Sequence, residues 1–527
     1  MLAAFALFSV WIVALDLVNA SDRGLVWTGT DGFFIVDQMQ YLAWIQSAAH
    51  HLLSSNLFVL RPTPADYFQP AIELSAALTA LGIAPWLSLL LWKPVAVVGL
   101  FAAARAVVHR CLGGRAQRRA ALTLAILFGS FSVVYGAFGI VGDMMPTWLS
   151  WGYPFGLMAV AALAYALVRY DRARADGRWS WGPGLLGALA SALHPWQGET
   201  MILIVLGAEL WRAREWAAGS PADRRRALTL PALTLVLTGA PLLYYLLLGH
   251  LDVSWGLARD ASKHAFSLVS VAIGAAPLAL PALLGYRGRS ESRLELMLRL
   301  WPPVALAIWV FSATGLSATP LHAFNGITIP LSVLAVGGVQ RSRLRSLPRG
   351  RAIAWLAIAA GTIPANAYAI AVSHTFVRPT PGNANFITRD EGAALAYLAR
   401  DPTPGGVLTR FYLGEAVPAR TGRRTFVGDC LWSEPRCMPR SLAADALFEG
   451  RDRPAVARAF VRDSGARFLL AGCSPQDVPL RGELGAMVVA VRRFGCATVY
   501  ELGRPSAPTG PLAQLTGDAS VRASRRQ

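Results

Sequence analysis

Apolar runs of about 17 to 25 residues recur from Leu2 to Ser373, each long enough to cross a bilayer. They fall at roughly 1–20, 84–108, 119–139, 154–170, 183–194, 196–214, 226–249, 266–286, 295–314, 322–340 and 351–373, which makes about eleven. The pattern predicts a mainly α, polytopic helical membrane protein over 1–374. The fifth run is exceptional. Gly182–Leu193 spans only about 18 Å at 1.5 Å per residue, too short to cross. His194-Pro195 then breaks the helix and Trp196-Gln197-Gly198-Glu199 opens the next one. Irregular backbone at membrane depth is tolerated where it lines a wet cavity, so a polar cavity is expected beside His194. The first run lacks a basic leader and is read as a retained helix, although Val18-Asn19-Ala20 could pass for a cleavage site.

Between the first two runs lies a long loop, 21–82. From Asp37 onward, Tyr41, Leu42, Ile45, Ala48, Ala49, Leu52 and Leu53 recur at helical spacing, with Gln38, Gln46 and His50 on the other face. This predicts an amphipathic surface helix, followed by a second short helix over 71–81. After His374 the charge density rises and helix and strand signals alternate. Thr388-Arg389-Asp390-Glu391 reads as a capping box. Segments 405–412, 424–427, 467–471 and 498–502 read as strands, and a helix runs from Pro454 to Gly465. A C-terminal α/β domain over 380–504 is expected, then a disordered tail over 505–527.

Composition supports a membrane part: 54% of the 527 residues are hydrophobic and 15% charged, too apolar for a soluble chain of this size. The net charge of +18 is almost all arginine. Lys93 and Lys263 are the only lysines, and this bias, with abundant alanine, suggests a GC-rich bacterial genome and hence a plasma membrane. The arginines form no single basic face, which argues against nucleic acid as a partner. They cluster after every even-numbered run: Arg105–Arg119, Arg169–Arg178, Arg212–Arg226, Arg287–Arg293 and Arg341–Arg351. The alternation is a positive-inside signal. It puts the N-terminus in the cytoplasm and the C-terminal domain outside, with Asp37, Asp143, Asp252 and His322 on the outer side. Cys430, Cys437, Cys473 and Cys496 all fall in that outer part, where two disulfides are expected in one of three pairings.

Asp37 is the leading candidate for chemistry. A carboxylate within reach of a hydroxyl can act as its general base; the plain alternative is a helix N-cap. Asp143, in Gly142-Asp143-Met144-Met145-Pro146, could orient an acceptor or help hold a divalent metal, but no tight carboxylate cluster accompanies it. His194 and Glu199 flank the helix break and could bind sugar hydroxyls or phosphate. Lys93, about 13 Å into the second run, could neutralise a lipid phosphate, pair with Asp16 or snorkel. His322 and Asn325 top the tenth run and could line the same cavity.

Together these residues resemble a GT-C-fold membrane glycosyltransferase, a superfamily that includes protein O-mannosyltransferases and oligosaccharyltransferases. Asp37, in Asp37-Gln38-Met39-Gln40-Tyr41-Leu42-Ala43-Trp44, matches the acidic residue of that family's long first extracytoplasmic loop. Ser55-Asn56-Leu57, His194-Pro195-Trp196, Gly326-Ile327-Thr328-Ile329-Pro330-Leu331, Thr421-Gly422-Arg423-Arg424 and Val427-Gly428 are similar to uncharacterised bacterial members. The resemblance implies a polyprenyl-phosphate sugar donor, a lipid or glycan acceptor and inversion at the anomeric carbon, with Asp37 as base. It does not choose the sugar. Two other classes remain open from the residues: a transporter or lipid flippase, and a non-catalytic relative serving as an assembly subunit.

Overall fold

The structure, a computed structural model, describes residues 1–32, 34–129, 144–214, 220–262, 268–287, 290, 292–313, 320–342, 349–380 and 382–503. Asp143 and the tail 505–527 lie outside the described residues.

Each apolar run contains a helix. In order they are Leu2–Asp22, Trp92–Cys111 with its lead-in Pro85–Leu90, Arg115–Leu127, Pro154–Ala175, Gly182–Leu193, Pro195–Trp211, Pro221–Leu251, Leu268–Ala282, Arg293–Ala313, Thr328–Arg341 and Gly350–Phe376. Six helical stretches among the described residues are long and apolar enough to cross a membrane: Leu2–Asp22, Pro85–Cys111, Ala227–Leu251, Leu268–Tyr286, Arg293–Ser312 and Ala352–Thr375. Gly182–Leu193 is apolar but short. Helix Pro154–Ala175 sits at the centre. Proline at its first turn suits the amide-poor start, and Ala159, Ala161, Ala162, Ala164 and Ala166 are all buried. Small side chains let neighbouring backbones approach, the usual packing of membrane helices; helices Trp92–Cys111 and Gly182–Leu193 flank it.

The first loop is built rather than trailing. Its main helix is Ile35–His51, and Gln69 caps a second, Pro70–Ala80, by accepting from the Ala71 and Ile72 amides at 2.9 Å. The spacing predicted one wet face for the first of these helices. His50 is exposed and Gln46 half-buried as expected, but Gln38 is buried, with Gln40, Met39, Leu42, Ala43 and Ile45. The reason is tertiary: the helix is covered by Pro70–Ala80 and by helix Phe411–Thr421 from the C-terminal part.

The C-terminal part carries a four-stranded sheet in the order Val407–Thr409, Phe468–Ala471, Ala497–Leu502, Val488–Phe494. The first pair is parallel, with Leu408 opposite Leu469, and the others are antiparallel, with Leu469 opposite Tyr500 and Val491 opposite Tyr500. The capping box forms: the Thr388 hydroxyl accepts from the Glu391 amide at 3.1 Å, and the Glu391 carboxylate accepts from the Thr388 amide at 2.8 Å. Helix Pro454–Ser464 ends at Gly465 in a left-handed conformation. Two strand expectations need correction. The segment 405–412 is a three-residue strand that turns at Arg410 into helix Phe411–Thr421, and 424–427 contributes only a bridge from Thr425 to Val407. Strand Val488–Phe494 had no clear alternation to announce it; its partner supplies the register through a turn at Gly495, φ +57°.

The two parts share one core cluster, and the C-terminal part has two more of its own. Phe386, Ala419 and Trp432 join the cluster that begins at Phe5. Strand Val26–Trp27 of the first loop pairs antiparallel with Phe386–Ile387.

Candidate active site

Asp37 lies in the first turn of helix Ile35–His51, three residues after the N-cap Phe34. It is therefore not the cap. Its side chain is half-buried, at the start of a helix whose unpaired amides favour an anion. A tether six residues upstream holds that start. The Asp31 amide donates to Gln38 Oε1 at 3.0 Å, and Gln38 Nε2 donates back to the Asp31 carbonyl at 2.6 Å. Gly152, φ +106°, is required here, since a Cβ would stand 2.3 Å from Gln38 Nε2.

Lys93 is buried, and its ion-pair partner is not Asp16. It pairs with the Asp31 carboxylate and donates to the Ser150 carbonyl at 2.5 Å. Asp16 instead accepts from Asn385 Nδ2 at 2.6 Å. An ammonium already matched by a carboxylate anchors the loop to the bundle. Sequence reading passed over Asp31; its one signal is a second acidic residue, Thr30-Asp31-Gly32, inside an otherwise apolar stretch.

Facing the start of the Asp37 helix is a cluster from three separate segments. The ring of Phe34 lies 5.4 Å from that of Tyr153. The Tyr153 hydroxyl is 2.9 Å from His194 Nε2. Gln197 Oε1 accepts from His194 Nδ1, which leaves Nε2 to accept from the Tyr153 hydroxyl. Gln197 Nε2 donates to the His322 carbonyl at 3.2 Å. His322 stacks on Tyr153 at 5.7 Å and meets the rings of His194 and Trp196 at 4.7 Å.

The break does arise where sequence placed it. Leu193 ends one helix, His194 is extended at φ −160°, and Pro195 begins the next. Gly198 makes the close return possible, because a Cβ there would lie 2.0 Å from Ser191 Oγ. Glu199 is one turn further along, half-buried. Asn325 is fully buried beside Gly326, whose φ of +75° and 2.3 Å Cβ approach to Val160 Cγ1 require glycine. Thus the structure brings His194 and His322 together and ties Lys93 to the loop that carries Asp37.

The C-terminal part closes the site from the other side. Trp432 packs edge-on against Trp44 at 5.3 Å and Trp255 at 4.5 Å, and Tyr67 stacks on Trp255 at 4.3 Å. Asp429, two residues before Leu431, is buried near Asp37; burial first, and then the Asp37 charge, push its carboxyl up to about 8. Sequence reading missed Asp429 because nothing local relates it to a residue almost 400 positions away.

Metal ligands are sparse among the described residues. Their one set of three possible ligands within reach of each other is Asp390, Cys473 and Cys496. Both sulfurs are consumed by the Cys473–Cys496 disulfide, the second being Cys430–Cys437.

Neither a protein-family model nor a curated protein sequence matches the chain. Solved structures do. The oligosaccharyltransferase of Archaeoglobus fulgidus in its apo form superposes with a TM-score of 0.54 at 13% identity, over 89% of this chain and 69% of its own. The archaeal oligosaccharyltransferase AglB from the same organism, in complex with an inhibitory peptide and a dolichol-phosphate, gives 0.54 at 14% identity, over 89% and 68%. ArnT from Cupriavidus metallidurans bound to undecaprenyl phosphate gives 0.51 at 16% identity, over 97% of this chain and 98% of its own. The chain has the GT-C fold of these polytopic membrane proteins.

Proposed function

We propose that the protein is an integral membrane glycosyltransferase. It takes a sugar from a polyprenyl-phosphate carrier and passes it to an acceptor hydroxyl, with Asp37 as general base. The observation that carries this reading is the full-length likeness to a structure holding undecaprenyl phosphate, joined to an acidic residue in the first turn of a helix whose Phe34 meets Tyr153 of the polar, aromatic-lined break. In the reaction, the acceptor oxygen attacks the anomeric carbon as Asp37 removes its proton. The bond to the carrier phosphate breaks from the opposite face, and the electron pair leaves with the phosphate. That leaving group departs as an anion and needs no acid, unlike the paired carboxylates of glycoside hydrolysis. The reaction inverts the anomeric centre.

His194, His322 and Tyr153 form a hydrogen-bonding wall for sugar hydroxyls, with Asn325 and Glu199 beside it. Lys93 acts through Asp31 by fixing the loop rather than by touching phosphate. Asp143 retains its proposed acceptor-orienting role. The site faces outward: arginine clusters mark the opposite end of the bundle, and two disulfides in the C-terminal part suit an oxidising compartment.

The test is transfer of sugar from polyprenyl-phosphate donors in membranes carrying the wild-type chain or Asp37→Asn. Retained transfer in the variant removes Asp37 as base. Absence of transfer by the wild type with every polyprenyl-phosphate sugar favours a transporter or an assembly subunit.

A further inference from the structure

Helix Gly182–Leu193 presents an exposed stripe at every fourth position: Trp181 at its N-cap, then Leu185 and Leu189. Its buried side carries Gly184, Gly187 and Ala190 and packs on helices Pro154–Ala175 and Pro221–Leu251. The second of these holds the stretch Ala227–Leu251, long and apolar enough to cross a membrane. The stripe therefore continues a surface that faces lipid. From Leu189 to Trp181 it runs about 12 Å at 1.5 Å per residue, close to the hydrocarbon depth of one leaflet, about 15 Å.

At Trp181 the surface changes character. The ring of Trp179 meets that of Trp181 edge-on at 4.9 Å, and the two side chains are 56% and 48% exposed. Beside them stand two exposed arginines, Arg169 near the end of helix Pro154–Ala175 and Arg178 in the connecting loop. Arg169 Nε and Nη2 both lie 3.6 Å from the place a Cβ on Gly182 would take, so this guanidinium rests against the chain directly after Trp181. In the same stretch Asp171 is taken up by Arg110, and Arg174 by Glu209. Arg169 and Arg178 form no ion pair among the described residues. Asp176, the remaining acid of the loop, is exposed, as is Arg172, so the patch keeps a net positive charge.

Indoles gather at the headgroup level of a bilayer, and a guanidinium takes two phosphate oxygens at once. The order along this face is apolar stripe, indoles, guanidinium groups. A phospholipid has the same order of parts: acyl chain, glycerol ester, phosphate. We propose that the face binds an anionic phospholipid of the leaflet at the arginine-rich end, with its chain along Leu185 and Leu189 and its phosphate held by Arg169 and Arg178. A zwitterionic lipid is the poorer ligand, because its own cation competes with the arginines for the phosphate. The inference does not depend on the reading of Asp37 as base.

Native mass spectrometry of the full-length chain, equilibrated with equal amounts of phosphatidylglycerol and phosphatidylcholine, reads retention directly. The wild type is expected to hold phosphatidylglycerol in excess by about fivefold for each arginine; equal retention overturns the proposal. The double variant Arg169→Gln, Arg178→Gln is compared with Arg115→Gln, Arg119→Gln, which removes the same charge from exposed arginines in another loop of that end. Only the first is expected to lose the excess. An equal loss in both makes the preference one of overall charge and overturns the assignment to this face. If the first double variant does not fold, Arg178→Gln alone is expected to lose about fivefold, and an unchanged excess overturns the proposal. Unfolding temperature in detergent gives an independent reading. Phosphatidylglycerol should raise it in the wild type and in Arg115→Gln, Arg119→Gln, but not in Arg169→Gln, Arg178→Gln. An equal rise with phosphatidylcholine or with inorganic phosphate overturns the choice of an anionic lipid.

Discussion

The two ends of the helix bundle hold buried charge in opposite ways. At one end four of the five arginine-rich loops are tied to their neighbours by ion pairs among the described residues. Arg110 Nε reaches Asp171 at 2.9 Å, and Asp171 also accepts from the Leu294 amide at 3.0 Å. Glu209 gathers Arg174, Arg293 at 3.4 Å and the Tyr170 hydroxyl at 2.9 Å. Glu295 takes Arg299 at 2.9 Å and Arg341 at 3.1 Å. At the other end the groups are carboxylates, imidazoles and indoles: Asp37, Asp429, His194, His322, Trp432. Asp31 has Lys93 there, whereas Asp429 is buried with backbone amides for partners and the charge of Asp37 acting against its ionisation. A compensated network locks helices together, whereas an uncompensated one costs stability and is retained where chemistry needs it. The difference separates the structural end of this molecule from the end proposed to do the chemistry.

That contrast can be broken by experiment. Asp37→Asn is expected to cut transfer by about 10² to 10⁴, the usual worth of a positioned base, with unchanged thermal unfolding in detergent. A variant that unfolds instead would make Asp37 structural. Glu209→Ala should do the reverse. It strands Arg174 and Arg293, costs about 3–5 kcal/mol of stability, and leaves transfer per folded molecule unchanged; calorimetry and a specific-activity assay check both halves. Asp429 supplies a pH signature. The folded chain holds a proton on it up to about 8, while an unfolded aspartate releases its proton near about 3.9. Across that window the native state binds more protons, so stability falls as pH rises. Unfolding temperatures should decline from acid to pH 8 more steeply in the wild type than in Asp429→Asn. The smallest effect belongs to neither end: Thr388→Ala removes half of the capping box and should cost about 1 kcal/mol, read as a lower unfolding midpoint of the C-terminal part.

Legibility followed the range of the interaction. The eleven or so helices were readable because each sustained apolar run declares itself, and the break at His194-Pro195 because proline is a local event. The capping box and the Pro454 helix are likewise local. Helix Phe411–Thr421 was hidden, since Phe411, Tyr412 and Leu413 read equally well as the end of a strand. Lys93 was singled out correctly as a buried cation, but its partner Asp31 was beyond sequence reasoning because the pairing crosses between elements. His194 and His322 were proposed for one cavity, and the 2.9 Å contact of Tyr153 with His194 is the piece that no spacing announces.

By itself the sequence determined the membrane class, the order and approximate ends of the helices, the alternation of charged and uncharged loops, and the candidate residues Asp37 and His194. These are consequences of neighbours along the chain: transfer free energy, helix propensity and proline geometry. Only the tertiary structure decided which cysteines pair, that Gln38 of the Asp37 helix is buried, that Lys93 belongs to Asp31, and that Asp429 is carried into the interior. Such decisions depend on which surfaces meet after the helices pack, and the sequence carries no period that records them.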